Sequence, residues 1–229
     1  MLDNVAIFVQ LLPMLIVLTA LPRRVSTAAL FTAYAFLFSF IEDCVSWWLS
    51  RHGAPNLWFL HLAMPVFPAL LIWSLSLWQR SEVSRLAFRV TIPLFVITWA
   101  ALLLWVEPLG AFSFVGGPIR SVLLVTLTCY TLVTNARQSM SPVWRADWFW
   151  ITTGILLSFS SRVIRTPLSA SLVDSARAEL IRMDVIFNAI DVIATLLVSW
   201  GVYCAKRESA SGGFSSLPSR WRVSSPPRS

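Results

Sequence analysis

The chain has 229 residues, of which 57% are hydrophobic and 13% charged, with a mean hydropathy of +0.72. Water-soluble domains carry about a quarter charged residues, and one of this length cannot hide so much apolar surface, so composition excludes a soluble globular protein and points to a bilayer as solvent. The net charge of +7 gathers in the breaks between apolar runs and in the C-terminal segment, the pattern of a membrane protein with a basic cytoplasmic side and not of a nucleic-acid partner.

Seven runs approach the roughly 20 apolar residues that cross the hydrocarbon as a helix: residues 5–21, 27–49, 57–78, 86–106, 112–133, 148–164 and 185–205. The first and sixth are the shortest. Asp3 precedes the first run and Arg23–Arg24 follow it, the reverse polarity of a cleavable signal peptide, so this run is expected to stay as a helix. Loop chemistry fills the breaks, as in "LPRRVS", "SRHGAPN" and "WQRSEVSR". Trp47, Trp48, Trp58, Trp78, Trp105, Trp148 and Trp150 fall near run ends, where an aromatic belt sits.

With seven spans, Arg51, Arg120, Arg162, Arg165, Arg177 and Arg182 share one side, and the other twelve of the 18 basic residues lie on the opposite side. The richer side is expected in the cytoplasm, with the N-terminus outside and the C-terminus inside. Lys206 is the only lysine; the arginine bias suggests a GC-rich bacterial genome and hence the bacterial inner membrane. The predicted fold is therefore an all-α, polytopic seven-helix bundle over residues 1–205, followed by a basic cytoplasmic tail over 206–229. The tail's Ser, Pro, Gly and Arg content predicts disorder. Ahead of the last run, "SLVDSARAELIRMD" has a short amphipathic helical pattern that either lies on the outer surface or extends the last helix. No internal repeat is evident, which counts against an inverted-repeat transporter.

Cys44, Cys129 and Cys204 lie in apolar runs without paired spacing and read as small buried hydrophobes. The ionisable residues inside the runs are more informative. Glu42 and Asp43 interrupt "FSFIEDCVSWW" about two turns from the predicted outer end of the second helix. His61, Arg120, Arg162, Asn188 and Asp191 reach a similar depth on the third, fifth, sixth and seventh. Ser39, Glu42 and Ser46 share a helical face, as do Ser158, Arg162 and Arg165, and Asp184, Asn188 and Asp191. A centrally placed Asp or Arg costs roughly 2.5–3.5 kcal/mol on insertion scales, so these residues are expected to face one another or a wet cavity. The bland alternative is an ion-pair network that fixes helix register. For His61 it is a packing histidine, and for Pro65 and Pro68 a kink.

The segments "NLWFLH" (residues 56–61) and "NAID" (residues 188–191) resemble those of small bacterial seven-helix membrane proteins. That resemblance covers the spans and implies a fold and a membrane location, with no activity attached.

Several chemistries are excluded. No lysine stands in the middle of the seventh run for a retinal Schiff base, and two histidines cannot make a three-histidine zinc site. "EDCVSW" departs from the EExxxR pattern of intramembrane CAAX-type proteases, and no GxGxxG, P-loop, HExxH or GxSxG occurs. No cofactor or metal is expected. The role expected is a sensor or small-ligand-binding module, with Arg120 and Arg162 meeting an anionic or polar ligand and Glu42, Asp43 and Asp191 meeting cations or orienting the arginines. A sensor of this size needs a membrane or cytoplasmic protein partner for output. The alternatives are a small-solute or proton-coupled transporter using His61 and Asp191, and an intramembrane lipid-modifying enzyme.

Overall fold

The structure, a computed structural model, describes residues 2–19, 25–110, 113–139, 142–172 and 177–210. These residues are helical, without strands: α1 (Leu2–Val9), α2 (Leu12–Thr19), α3 (Thr27–Arg51), α4 (Leu57–Ala63), α5 (Val66–Leu77), α6 (Glu82–Trp105), α7 (Gly116–Gln138), α8 (Asp147–Leu172) and α9 (Arg177–Ala210), with a 3-10 turn at Val143–Arg145. Five stretches are long and apolar enough to cross a membrane: α3, α4 with α5 (Leu57–Leu77), α6, α7 and Arg182–Lys206 within α9. They match five of the seven runs. The first run is divided between α1 and α2, and α8 carries the sixth.

Prolines account for the two interruptions. Pro13 has no N–H to continue the helix from α1, and it sits in the first turn of α2, where that N–H is not needed. The chain instead makes tight turns, with Gln10 N donating to Ile7 O at 3.2 Å and Leu11 N to Phe8 O at 3.1 Å, before α2 begins. Pro65 likewise separates α4 from α5, and Pro68 occupies the first turn of α5, where a missing N–H costs least.

Side chains cap the starts of α3 and α7. Ser26 accepts from Ala29 N at 3.2 Å as the cap of α3, and its hydroxyl donates to Asp147 Oδ2 at 3.0 Å, tying the starts of α3 and α8 together. At the opposite end, Gly53 takes φ +69° and closes the turn after α3. Glu107, nearly buried, anchors the start of α7: its carboxylate accepts from Val115 N at 2.6 Å, Gly116 N at 3.2 Å and the Ser113 hydroxyl at 2.9 Å. A carboxylate there also meets the positive end of the helix dipole. Glu107→Ala is therefore expected to lower unfolding stability by about 2 kcal/mol, measured by thermal or denaturant unfolding in one fixed detergent; an unchanged midpoint would show the cap to be dispensable.

The helices close a ring. α3 packs on α5, α5 on α6 and α7, α7 on α8, and α8 on α9; α9 returns to α1, α2 and α3. Leu71, Leu75, Leu124, Ile151, Ile155, Val198 and Val202 fill the interior. Lipid offers no hydrophobic drive between helices, so close approach and polar contacts matter more there. The Thr32 and Ser74 hydroxyls lie 2.8 Å apart across α3 and α5, and Gln79 Nε2, just past the end of α5, donates to Thr131 Oγ1 of α7 at 2.9 Å. α6 stands outermost, with Leu104 77% and Trp105 82% exposed, a surface that suits lipid and would aggregate in water.

α9 is continuous from Arg177, so "RAELIRMD" extends the last helix and is not a separate surface piece; of the rest of that stretch, Ser171 and Leu172 end α8 and residues 173–176 lie outside the described residues. The helix also runs on to Ala210, past the expected bundle boundary at 205. Of the disordered tail expected over 206–229, residues 206–210 are helical and 211–229 lie outside the described residues, as do Arg23 and Arg24.

Candidate functional site

One half of the ring holds a cavity of about 530 Å³. It is bounded by the C-terminal halves of α3 and α8, the N-terminal parts of α7 and α9, the end of α1 and Asn56 just before α4. The helical repeat explains the α3 wall: Ser39, Asp43, Ser46 and Ser50 follow i, i+4, i+7, i+11 and line one face. Asn188, Asp191 and Thr195 form the α9 wall, and Ser158, Arg162 and Arg165 the α8 wall, with Arg120 entering from α7. Trp47 and Ser50 are exposed, so the cavity reaches the surface at the end of α3. Its floor is apolar. Phe36 and Phe67 meet edge-on with centroids 5.7 Å apart, and Phe67 and Phe159 lie 6.0 Å apart; all three are buried.

Most of the charged groups are engaged. Asp191 accepts from Ser158 Oγ at 2.6 Å through Oδ1 and pairs with Arg162 Nη2 at 3.4 Å through Oδ2. The Arg162 guanidinium also lies 5.4 Å from the Phe159 ring centroid. Arg165 pairs with Asp184 at 2.8 Å. Asp43 accepts from Gln10 Nε2 at 2.8 Å, and Asn56 Nδ2 donates to Ser46 Oγ at 2.8 Å.

Arg120 differs. Among the described residues no carboxylate lies within 4.0 Å of its guanidinium, and its buried Nε has no acceptor. Glu42 and Arg162 act on it only through space, the first attracting and the second repelling. The cavity thus presents an arginine whose hydrogen-bonding capacity is unspent, beside two arginines already matched to acids.

Of the seven residues expected to form a site, Asp43, Arg120, Arg162, Asn188 and Asp191 line this cavity. Glu42 stands one position round α3, off the lining but within electrostatic range of Arg120 and Arg162; the α3 face that meets the cavity carries Asp43 in place of Glu42. His61 is elsewhere. It is 2% exposed, its ring stacks on Trp99 with centroids 6.0 Å apart, and its backbone carbonyl accepts from Trp99 Nε1 at 3.1 Å, joining α4 to α6.

Gln10 and Asn56 are contributors that the sequence pattern did not assign to the site. Gln10 is a lone amide in an apolar run, and that oddity was its signal. Arg165, already on the polar α8 face, adds its pairing with Asp184. Asn56 lies outside every span, and nothing in its local pattern pointed to the cavity. Among the described residues no group of three His, Cys, Asp or Glu is arranged to hold a metal, and the three cysteines are half-buried and form no disulfide. No protein-family model, curated protein or solved structure matches the chain, so the reading of the site rests on its own geometry.

Proposed function

We propose that the chain is a seven-span protein of the bacterial inner membrane whose outward-facing cavity binds a small ligand bearing an anionic group, in the manner of a sensor or binding module. Arg120 carries this reading. A half-buried guanidinium without a carboxylate at hydrogen-bond distance is costly unless something else meets it, and a planar fork of N–H donors suits a carboxylate, phosphate or sulfate. The serines and amides around it offer orienting contacts, and the Phe36–Phe67–Phe159 floor offers apolar area. That floor also favours binding over passage, because buried aromatic side chains close the cavity towards the other half of the bundle.

The direct test is mass spectrometry of small molecules retained by the purified chain, followed by thermal unfolding with acetate, phosphate and sulfate as probes. A retained anion, or protection by one of the probes that is lost in Arg120→Gln, is the expected result. Equal midpoints in all salts at matched ionic strength, with nothing retained, would sink the proposal. The topology has its own test. Reporter fusions after Arg80 are expected to read cytoplasm and fusions after Gly53 the outside, from the distribution of basic residues; the opposite pattern would invert the map.

A further inference from the structure

A second depression lies on the flank of the ring between α3, α5 and α6, away from the polar cavity. It encloses about 400 Å³ and is lined by Phe31, Pro65, Val66, Ala69, Leu70, Trp73, Ile92 and Val96, without a charged side chain among them. Its chemistry changes abruptly at one end. On α6, Arg85, Arg89, Ile92 and Val96 follow i, i+4, i+7, i+11 and share one face, so two arginines stand directly beyond the apolar lining. The Arg89 guanidinium lies over the Trp73 ring, 4.5 Å from its centroid. Arg85 Nη2 donates to Gln79 O at 3.0 Å. The Nε atoms of both arginines are buried and have no acceptor among the described residues.

An apolar trough that ends in a pair of under-used guanidinium groups has the polarity of a phospholipid. We propose that this groove seats an acyl chain of an anionic phospholipid whose phosphate meets Arg89 and Arg85. Trp73 holds the Arg89 fork at the mouth of the groove through the cation–π contact, and the phosphate oxygens accept from the terminal Nη groups that the two buried Nε atoms position. Pro65 and Ala69 line the groove on the α5 side, and the small Ala69 side chain leaves room that a larger one would fill.

The test uses the purified full chain after delipidation, with phosphatidylglycerol and phosphatidylcholine of identical acyl chains titrated by native mass spectrometry. Wild type is expected to bind phosphatidylglycerol roughly tenfold more tightly, the increment of about one charge-assisted contact. Arg89→Gln is expected to bring phosphatidylglycerol down to the phosphatidylcholine level, and Ala69→Phe to weaken both lipids. Equal affinity of the two lipids for wild type overturns the proposal without relying on any variant. Displacement of the lipid by sodium phosphate alone would overturn the acyl-chain part, and crosslinks through Trp73 to a second copy of the chain in lipid-free micelles would assign the groove to self-association.

Discussion

Arg120→Met is expected to raise the unfolding stability of the detergent-solubilised chain by about 1 kcal/mol while abolishing its response to anions. The usual expectation for a charged residue in a membrane bundle is the reverse, because removing one member of an ion pair leaves the other uncompensated. Arg120 has no such partner: among the described residues no carboxylate approaches its guanidinium within 4.0 Å, Arg162 repels it, and its Nε is buried without an acceptor. Methionine keeps most of the volume and removes both the desolvated charge and the repulsion. Asp191→Leu is the contrasting case. Both oxygens of Asp191 are in use, with Ser158 and Arg162, so its loss is expected to cost about 2 kcal/mol, less than a fully buried pair because the partners keep some solvent access. Unfolding in one detergent, with and without the protective anion, reads both quantities. A loss in Arg120→Met as large as that in Asp191→Leu would make Arg120 a structural member of the network and remove the main support for an anion site.

The helical content was legible in the sequence because long apolar runs leave few other options in a bilayer. Five of those runs appear as helices of spanning length, whereas the first run concealed its division at Gln10 and Leu11. Pro13 was there to be read, but a proline in the first turn of a new helix and one that kinks a continuous helix look the same in sequence. Height along each helix was accessible by counting 1.5 Å per residue from its end, and five of the polar residues placed at similar height line one cavity. Rotation about the helix axis was less accessible. Glu42 and Asp43 are adjacent and equally deep, so only the packing of α3 against its neighbours decides that Asp43 lines the cavity. His61 shows the same limit: its depth suited the cluster, but α4 turns it towards Trp99 on α6.

Gly154→Leu is expected to be the most damaging single change in the bundle, costing about 3 kcal/mol or more and disabling the cavity as well. A Cβ at Gly154 would stand 2.5 Å from the backbone carbonyl of Ala194 and 2.7 Å from Val198 Cγ2, so α8 and α9 touch there nearly backbone to backbone. One turn along α8 from that point Ser158 hydrogen-bonds to Asp191, which is three residues before Ala194 on α9. The close approach at Gly154 therefore sets the separation at which the Ser158, Arg162 and Asp191 side chains can reach one another. Gly201 offers a graded comparison. A Cβ there would meet Ile151 Cγ1 at 2.5 Å, a side-chain atom, although Asp147 O also lies at 2.9 Å. Gly201→Ala should accordingly cost less in an Ile151→Ala background, which removes the Cγ1 atom, than in wild type, whereas no side-chain trimming on α9 should rescue Gly154→Leu, because its clash is with a carbonyl. The measurements are unfolding midpoints for these variants and the yield of a crosslink between cysteines placed at 158 and 191. A Gly154→Leu chain with wild-type stability and an undiminished crosslink would mean that α8 and α9 are held apart by other contacts, and that the geometry of the cavity does not depend on this glycine.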